Sequence, residues 1–221
     1  MRYLNRQDAG KRLAHRLKRF QGDDVVVLAL PRGGIVLGAE IAKELRAPLG
    51  LVLVRKIGHP NYPEYAIGAI AEDEASVYNE REVAAIDTNW LKRAESSARQ
   101  LMEQRRQLYY SDDIVPPEII HKVVILVDDG IATGLTMEAA VQATQHKHPK
   151  QIVVAVPVAS SDSVDTLKKL VDEVIVLDDP AIFLGAVGAH YQEFEQVNDE
   201  EVRALLLEAT HELHEAITPH K

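Results

Sequence analysis

Asp128 and Asp129 stand side by side at the end of an apolar run, Val123-Val124-Ile125-Leu126-Val127, and open a loop of small residues, Gly130-Ile131-Ala132-Thr133-Gly134-Leu135-Thr136. Two carboxylates at a strand end can accept hydrogen bonds from neighbouring sugar hydroxyls, hold a hard cation such as Mg²⁺ directly, or cap the following turn. The loop offers consecutive backbone N–H groups, two threonine hydroxyls and the start of a helix carried by Met137, Ala139, Ala140, Val141 and Ala143. Unsatisfied N–H groups and the helix dipole both favour an anion, so Ala132, Thr133, Gly134, Leu135 and Thr136 predict a phosphate cradle. An acid pair alone decides nothing, because others occur at 23–24, 112–113 and 178–179. Only the pair at 128–129 both closes an apolar strand and opens a Gly/Thr loop into a helix. The loop lacks the Gly-Lys-Ser/Thr end of a Walker motif, which argues against an ATP or GTP hydrolase of that type.

Two more strand ends carry residues suited to anions. Pro31-Arg32-Gly33-Gly34 follows the first apolar run; its glycines permit close backbone approach and Arg32 brings charge, although a tight strand-to-helix turn needs no more than this. Arg55-Lys56 closes a second run and suits a diphosphate, or forms a plain surface pair. The segment with Tyr62, Glu64 and Tyr65 has the character of a loop that closes over a ligand. Phe183, one of three phenylalanines, lies in an irregular stretch and suits either base stacking or the core. The nine histidines show no metal-binding spacing, no Gly-x-Ser-x-Gly elbow is present, and no cysteine supplies a nucleophile or ligand.

Positioning these residues requires alternating strands and helices. Asp8 to Leu17 predicts a short amphipathic helix with Asp8 near its N-cap. Val25–Leu30, the helix Ile35–Leu45 and Leu49–Val54 make a βαβ unit, whose crossover is right-handed. From Gly58 to Glu74 a mobile loop is expected, then a hairpin pairing Ala66–Ala71 with Ser76–Asn79. Thr88–Tyr110 reads as a helix whose buried stripe is Leu91, Ala94, Ala98, Leu101 and Leu108, its arginines being a solvated face. After the linker 112–118 come Val123–Val127, a helix to about His146, the strand Ile152–Val156, a helix from Ser161 to Leu170 and the strand Val174–Leu177. A last helix spans Asp199 to about Ala216. The pattern predicts an α/β fold with an open, mainly parallel twisted sheet flanked by helices. Ligands on such sheets bind beyond the carboxyl ends of the strands, where all three motifs fall.

The 221 residues suit a single domain, and 46% apolar content is enough for a full core. A net charge of −9 makes nucleic acid an unfavoured main partner. Met1 to Arg19 is interrupted by charges, unlike a signal peptide, and no apolar run approaches the ~18 residues of a membrane span. A soluble, cytoplasmic protein is expected.

The strand–Asp128-Asp129–Gly130-Ile131-Ala132-Thr133-Gly134–Thr136 pattern resembles the phosphoribosyl-diphosphate (PRPP) motif of the type I phosphoribosyltransferase family. Pro31–Gly34, Val54-Arg55-Lys56-Ile57-Gly58 and Glu64–Ala69 resemble a subgroup of predicted bacterial members, so that the likeness covers residues 6 to about 200. The resemblance implies a core at about 25–178, a helical insertion at about 80–112, and a hood with C-terminal helix at about 179–221. It implies that Asp128 and Asp129 hold the ribose hydroxyls and act in catalysis, directly or indirectly as Mg²⁺ ligands, with the ion held largely by PRPP and water. It implies the 5′-phosphate on residues 132–136, diphosphate on Arg32, Gly33 and Lys56 with a non-proline cis peptide at the Arg32-Gly33 loop, a lid over 58–75, and Phe183 in the hood over a nucleobase-like acceptor. A homodimer or larger assembly is also implied. Two positions depart from the family pattern. Leu135 stands where Gly is common, and Ala132 where enzymes of 6-oxopurines carry an aspartate. A PRPP-sensing regulator with little catalysis is the alternative; a phosphate-ester hydrolase would need a nucleophile or two-metal cluster that the sequence lacks.

Overall fold

Apolar runs rich in Val and Ile form a five-stranded sheet in the computed structural model, which describes residues 2–22, 24–72 and 75–217. Its order is β2-β1-β6-β7-β8, all parallel: β1 Val25–Ala29, β2 Leu49–Leu51, β6 Val123–Val127, β7 Gln151–Val156 and β8 Glu173–Val176. The runs do not alternate with polar residues because both faces are covered. Val25, Val27, Ala29, Ile125, Val127 and Val153 enter one apolar cluster, while Val26, Leu28, Val124, Leu126 and Val154 enter another. Helices α1 (Arg6–Leu17), α2 (Gly34–Leu45) and α7 (Asp199–Ile217) cover the first face, and α5 (Leu135–Gln145) and α6 (Ser161–Leu167) the second. From β1 the chain moves outward to β2; from β6 it moves the other way, to β7 and β8. The β1/β6 junction is therefore the switch point where such sheets take ligands.

Several expectations shift. The run Leu49–Val54 is not one strand: β2 ends at Leu51, and Val54 begins β3 (Val54–His59) of a separate antiparallel sheet, β3-β4-β5. Between them Val52 donates its N–H to Ala29, and Leu53 accepts from Glu72, so the chain changes partner at those two residues. The expected loop after Gly58 is instead largely strand. β4 (Tyr62–Ala71) pairs with β3 through a register shift at Ile57–His59, and then with β5 (Ser76–Tyr78) in the hairpin read from the sequence. Asp73 and Glu74 of that segment lie outside the described residues.

The cap of α1 is Asn5, whose side chain accepts from Asp8 N at 3.0 Å, while Asp8 accepts from Leu4 N at 3.1 Å. Asp8 is thus the third helical residue, returning a bond rather than capping. After the short α3 (Glu80–Val83), α4 (Thr88–Tyr109) buries Ala98, Met102 and Tyr109, whereas Leu101 and Leu108 are exposed. The buried face is rotated from the expected stripe because Tyr109 reaches Asp199 of α7 and Tyr110 bonds Leu51 N. Helix α6 stops at Leu167, not Leu170. Among the described residues no helix is long and apolar enough to cross a membrane.

Candidate active site

The loops that leave the carboxyl ends of β1 and β6 line one cavity of about 330 Å³ together with Val54 and Lys56, which lie at the start of β3 rather than at a strand end as expected, because the chain has already changed sheets there. Its walls include Arg32, Gly33, Lys56, Asp128, Asp129, Ala132, Thr133, Gly134 and Thr136, so most residues singled out in the sequence are brought together. Leu135 does not line it with its side chain but opens α5 beside it. Phe183 is not among the lining residues: it stacks on buried His190, with centroids 5.4 Å apart, and packs against the core. Val187 lines the cavity from that irregular segment instead. Larger open depressions exist, but they gather no acid pair or phosphate-type loop, so chemistry rather than size selects this one.

The acid pair is held tightly. Asp128 Oδ1 accepts from Asp129 N at 2.8 Å, fixing the turn. Loop 31–34 presses on it: a Cβ on Gly34 would lie 2.8 Å from Val127 O, and one on Gly33 only 1.9 Å from Asp129 Oδ2. The peptide Pro31–Arg32 is a non-proline cis bond, in the loop where the resemblance implies one. Burial, then the charge of Asp129, pushes the Asp128 carboxyl well above the usual carboxylate range. Burial raises Asp129 as well, while Arg6 and then Lys56 pull it down.

The Gly/Thr loop is pinned from behind. Ile131 N donates to Val158 O, Ser160 N to Ile131 O, and the Ser160 and Ser163 hydroxyls donate to Ala132 O at 2.7 and 3.0 Å. With that carbonyl turned inward, Ala132 and Thr133 are exposed at the cavity. The first bond of α5 runs from Glu138 N to Gly134 O, so the N–H groups of Leu135, Thr136 and Met137 are free of helical partners by geometry. Burial pushes the Glu138 carboxyl up, which disfavours a negative charge beside this anion-seeking loop. Gly134 has φ +83°, and a Cβ there would lie 3.0 Å from Glu138 Oε1 and 3.1 Å from Ser163 Oγ. Gly134→Ala is expected to cost about 1–2 kcal/mol in chemical denaturation, because the left-handed conformation penalises any side chain; unchanged stability would mean that the loop has another shape.

Sequence reasoning missed Arg6, Tyr191 and Phe194. Arg6 Nε donates to Asp129 Oδ2 at 2.7 Å with both side chains mostly buried, and the Tyr191 hydroxyl donates to Asp129 O at 2.6 Å. Phe194 lies under the Arg6 guanidinium. Among the described residues no cluster of three His, Asp or Glu side chains offers a protein-only metal site. Two carboxylates, one already engaged by Arg6, suit a Mg²⁺ that arrives with ligand phosphates rather than a resident ion.

An open parallel sheet that gathers an acid pair, a Gly/Thr loop and the basic residues Arg32 and Lys56 around one cavity at its switch point gives this protein the architecture of an α/β protein with its site beyond the strand ends. More narrowly, the chain belongs to the phosphoribosyl transferase family, whose phosphoribosyl transferase domain matches residues 3–193. Two Mycobacterium tuberculosis proteins, from strains CDC 1551 / Oshkosh and H37Rv, are each 41% identical over 215 residues, 96% of this chain and 48% of theirs. Their names describe them provisionally as phosphoribosyl transferases. The chain spans about half the length of these curated relatives. A crystal structure of a protein from Thermus thermophilus is 41% identical with a TM-score of 0.78, covering 94% of this chain and 99% of that one.

Proposed function

We propose that the chain binds PRPP and transfers ribose 5-phosphate to a nitrogen acceptor, releasing diphosphate. The observation that carries this is the shared cavity: the Asp128–Asp129 pair, pressed by loop 31–34, lines it together with loop 132–136 and Lys56. A ribose with a phosphate at each end needs all three kinds of group. Asp128 and Asp129 accept the ribose hydroxyls, the N–H groups of residues 132–136 take the 5′-phosphate, and Arg32, Gly33 and Lys56 take the diphosphate.

Bond breaking at ribose C1 develops positive charge on the ring, as in glycoside hydrolysis, and negative charge on the leaving diphosphate. Asp128 and Asp129 fix the ring and lie where they stabilise the first; Arg32 and Lys56 stabilise the second. Mg²⁺ bound with the diphosphate would neutralise further leaving-group charge, with Asp128 and Asp129 reaching it directly or through water. The β3–β4 hairpin with its exposed Tyr62 and Tyr65 is the segment we assign to closing over the ligand and excluding water, and the segment around Val187 takes the acceptor side. Ala132 speaks against a 6-oxopurine acceptor, since no carboxylate there can assist proton transfer.

The test is a diphosphate-release screen with PRPP, nucleobases and other nitrogen acceptors, with and without Mg²⁺. Release should require both PRPP and one acceptor class. PRPP binding with no release across the panel would instead favour a PRPP-sensing regulator, and no PRPP binding would overturn the proposal.

A further inference from the structure

Arg6 is the only residue of the N-terminal helix with a bond to the acid pair among the described contacts, and it is held from three directions. Its Nε donates to Asp129 Oδ2 at 2.7 Å, and its Nη1 donates to the backbone oxygen of Glu195 at 2.5 Å. Its guanidinium carbon lies 3.8 Å from the Phe194 ring centroid, a cation–π contact between a largely buried guanidinium and a partly exposed ring. Phe194 in turn stacks on Tyr191 at 4.9 Å, and the Tyr191 hydroxyl bonds the main-chain oxygen of Asp129 at 2.6 Å. Asp129 is therefore gripped through its carboxylate by α1 and through its backbone by the 191–195 segment. Gly33 closes the remaining side, since a Cβ there would also lie 2.9 Å from Arg6 Nε.

A carboxylate with one oxygen committed in this way keeps a single orientation and leaves Oδ1 outside the ion pair. Arg suits the role better than Lys. Its planar fork bonds the carboxylate and the Glu195 carbonyl at once and stacks on an aromatic face, which an ammonium does not do. The grip also spans 123 residues of sequence on one side and more than 60 on the other, tying the acid pair to elements that contribute nothing else to the cavity.

We infer that Arg6 is a positioning residue of the ribose subsite. It holds Asp129 in the orientation that accepts a ribose hydroxyl and couples that orientation to the Tyr191–Glu195 segment. This rests on the assignment of Asp129 to ribose made above. Arg6 has no described contact with the phosphate loop or with Arg32 and Lys56, and although it borders Gly33 its bonds go to Asp129 and Glu195 O, so its effect is expected chiefly on the sugar.

Calorimetric titrations of wild type, Arg6→Gln, Arg6→Lys and Phe194→Leu with three probes, PRPP with Mg²⁺, ribose 5-phosphate, and inorganic diphosphate, separate this role from general stability. Arg6→Gln should weaken PRPP and ribose 5-phosphate about 10- to 100-fold and leave diphosphate within about twofold, consistent with loss of an oriented charged contact. Arg6→Lys should fall between, and Phe194→Leu should shift binding in the same direction by a smaller factor. On an Asp129→Asn background, Arg6→Gln should add nothing, because the partner it orients is gone. In turnover, KM for PRPP should rise while KM for the acceptor stays put. Equal weakening of all three probes, additive losses with Asp129→Asn, or unchanged affinity in Arg6→Gln would each overturn the inference. If Arg6→Gln does not fold, Arg6→Lys and Phe194→Leu carry the same comparison. Wild type that binds neither PRPP nor ribose 5-phosphate would remove the ribose assignment itself, a result distinguishable from failure of Arg6 alone.

Discussion

Gly33→Ala is expected to lower PRPP-dependent turnover about a hundredfold and to destabilise the protein by up to about 3–5 kcal/mol, the cost of losing one partner of a buried ion pair. The backbone is not the reason. Gly33 has φ −61° and ψ −39°, a right-handed conformation in which alanine is at no disadvantage and even restricts the unfolded chain favourably. The loss comes from the added methyl, which would stand 1.9 Å from Asp129 Oδ2, 2.8 Å from its Cγ and 2.9 Å from Arg6 Nε. A short carboxylate could swing aside, but only by leaving Arg6, and Arg6 is itself fixed by Glu195 O and Phe194. With each kcal/mol worth about 2–4 °C in a chain of this size, the midpoint should fall by roughly 10 °C. Displacing the carboxylate by an ångström is enough to lower turnover about a hundredfold. A thermal melt and a PRPP titration on the same preparation check both effects. Wild-type melting with wild-type affinity would mean that the loop and the acid pair are not in contact as described.

The contrast between Gly33 and Arg6 shows what the sequence could and could not reveal. The parallel strands were legible because unbroken apolar runs such as Val123–Val127 are what a sheet buried on both faces requires. The acid pair and phosphate-type loop were legible because their residues are contiguous. Loop 31–34 could be aligned with them once strand ends were known to share one edge of the sheet. The break between β2 and β3 was hidden, since Leu49–Val54 stays apolar while its hydrogen-bond partners change. The rotated face of α4 was hidden because two tyrosine hydroxyls reaching Asp199 and Leu51 N decide it, not hydrophobic spacing. Arg6 carried no local signal at all: it stands 123 residues from its partner, in a helix that also holds Lys11, Arg12 and Arg16. Only tertiary packing tells it apart from those solvated neighbours. Phe183 lies outside the cavity lining for the converse reason, as aromatic character in an irregular segment serves the His190 stack equally well.

Asp128→Asn is expected to move stability and activity in opposite directions. Turnover should fall about 100-fold or more, because the amide brings no charge to a ring that becomes positive as diphosphate leaves. Stability at pH 7.5 should rise by about 0.5–2 kcal/mol, as when a destabilised functional site is relaxed. The reason is electrostatic. Burial and the neighbouring Asp129 charge raise the Asp128 carboxyl in the folded protein, with Lys56 and Arg6 offsetting part of that. The Asn carbonyl can still accept the Asp129 N–H that Asp128 Oδ1 holds at 2.8 Å, so the turn is kept. The sign follows from proton linkage. A carboxyl raised on folding binds its proton more tightly in the native state than in the unfolded chain. Wild-type stability therefore declines as pH climbs from the unfolded value, about 3.9, through the raised native one, and the whole penalty is present above it. The gain from Asp128→Asn should accordingly be full in alkaline buffer, shrink as pH falls through that window, and vanish near pH 3.5, where both states of the wild type hold the proton. Melting curves of the two proteins from pH 3.5 to 8, paired with diphosphate release at pH 7.5, measure both halves. A variant less stable than wild type at pH 8, or one equally favoured at every pH, would show that Asp128 is not held under charge stress. Near-wild-type turnover would remove it from the catalytic pair.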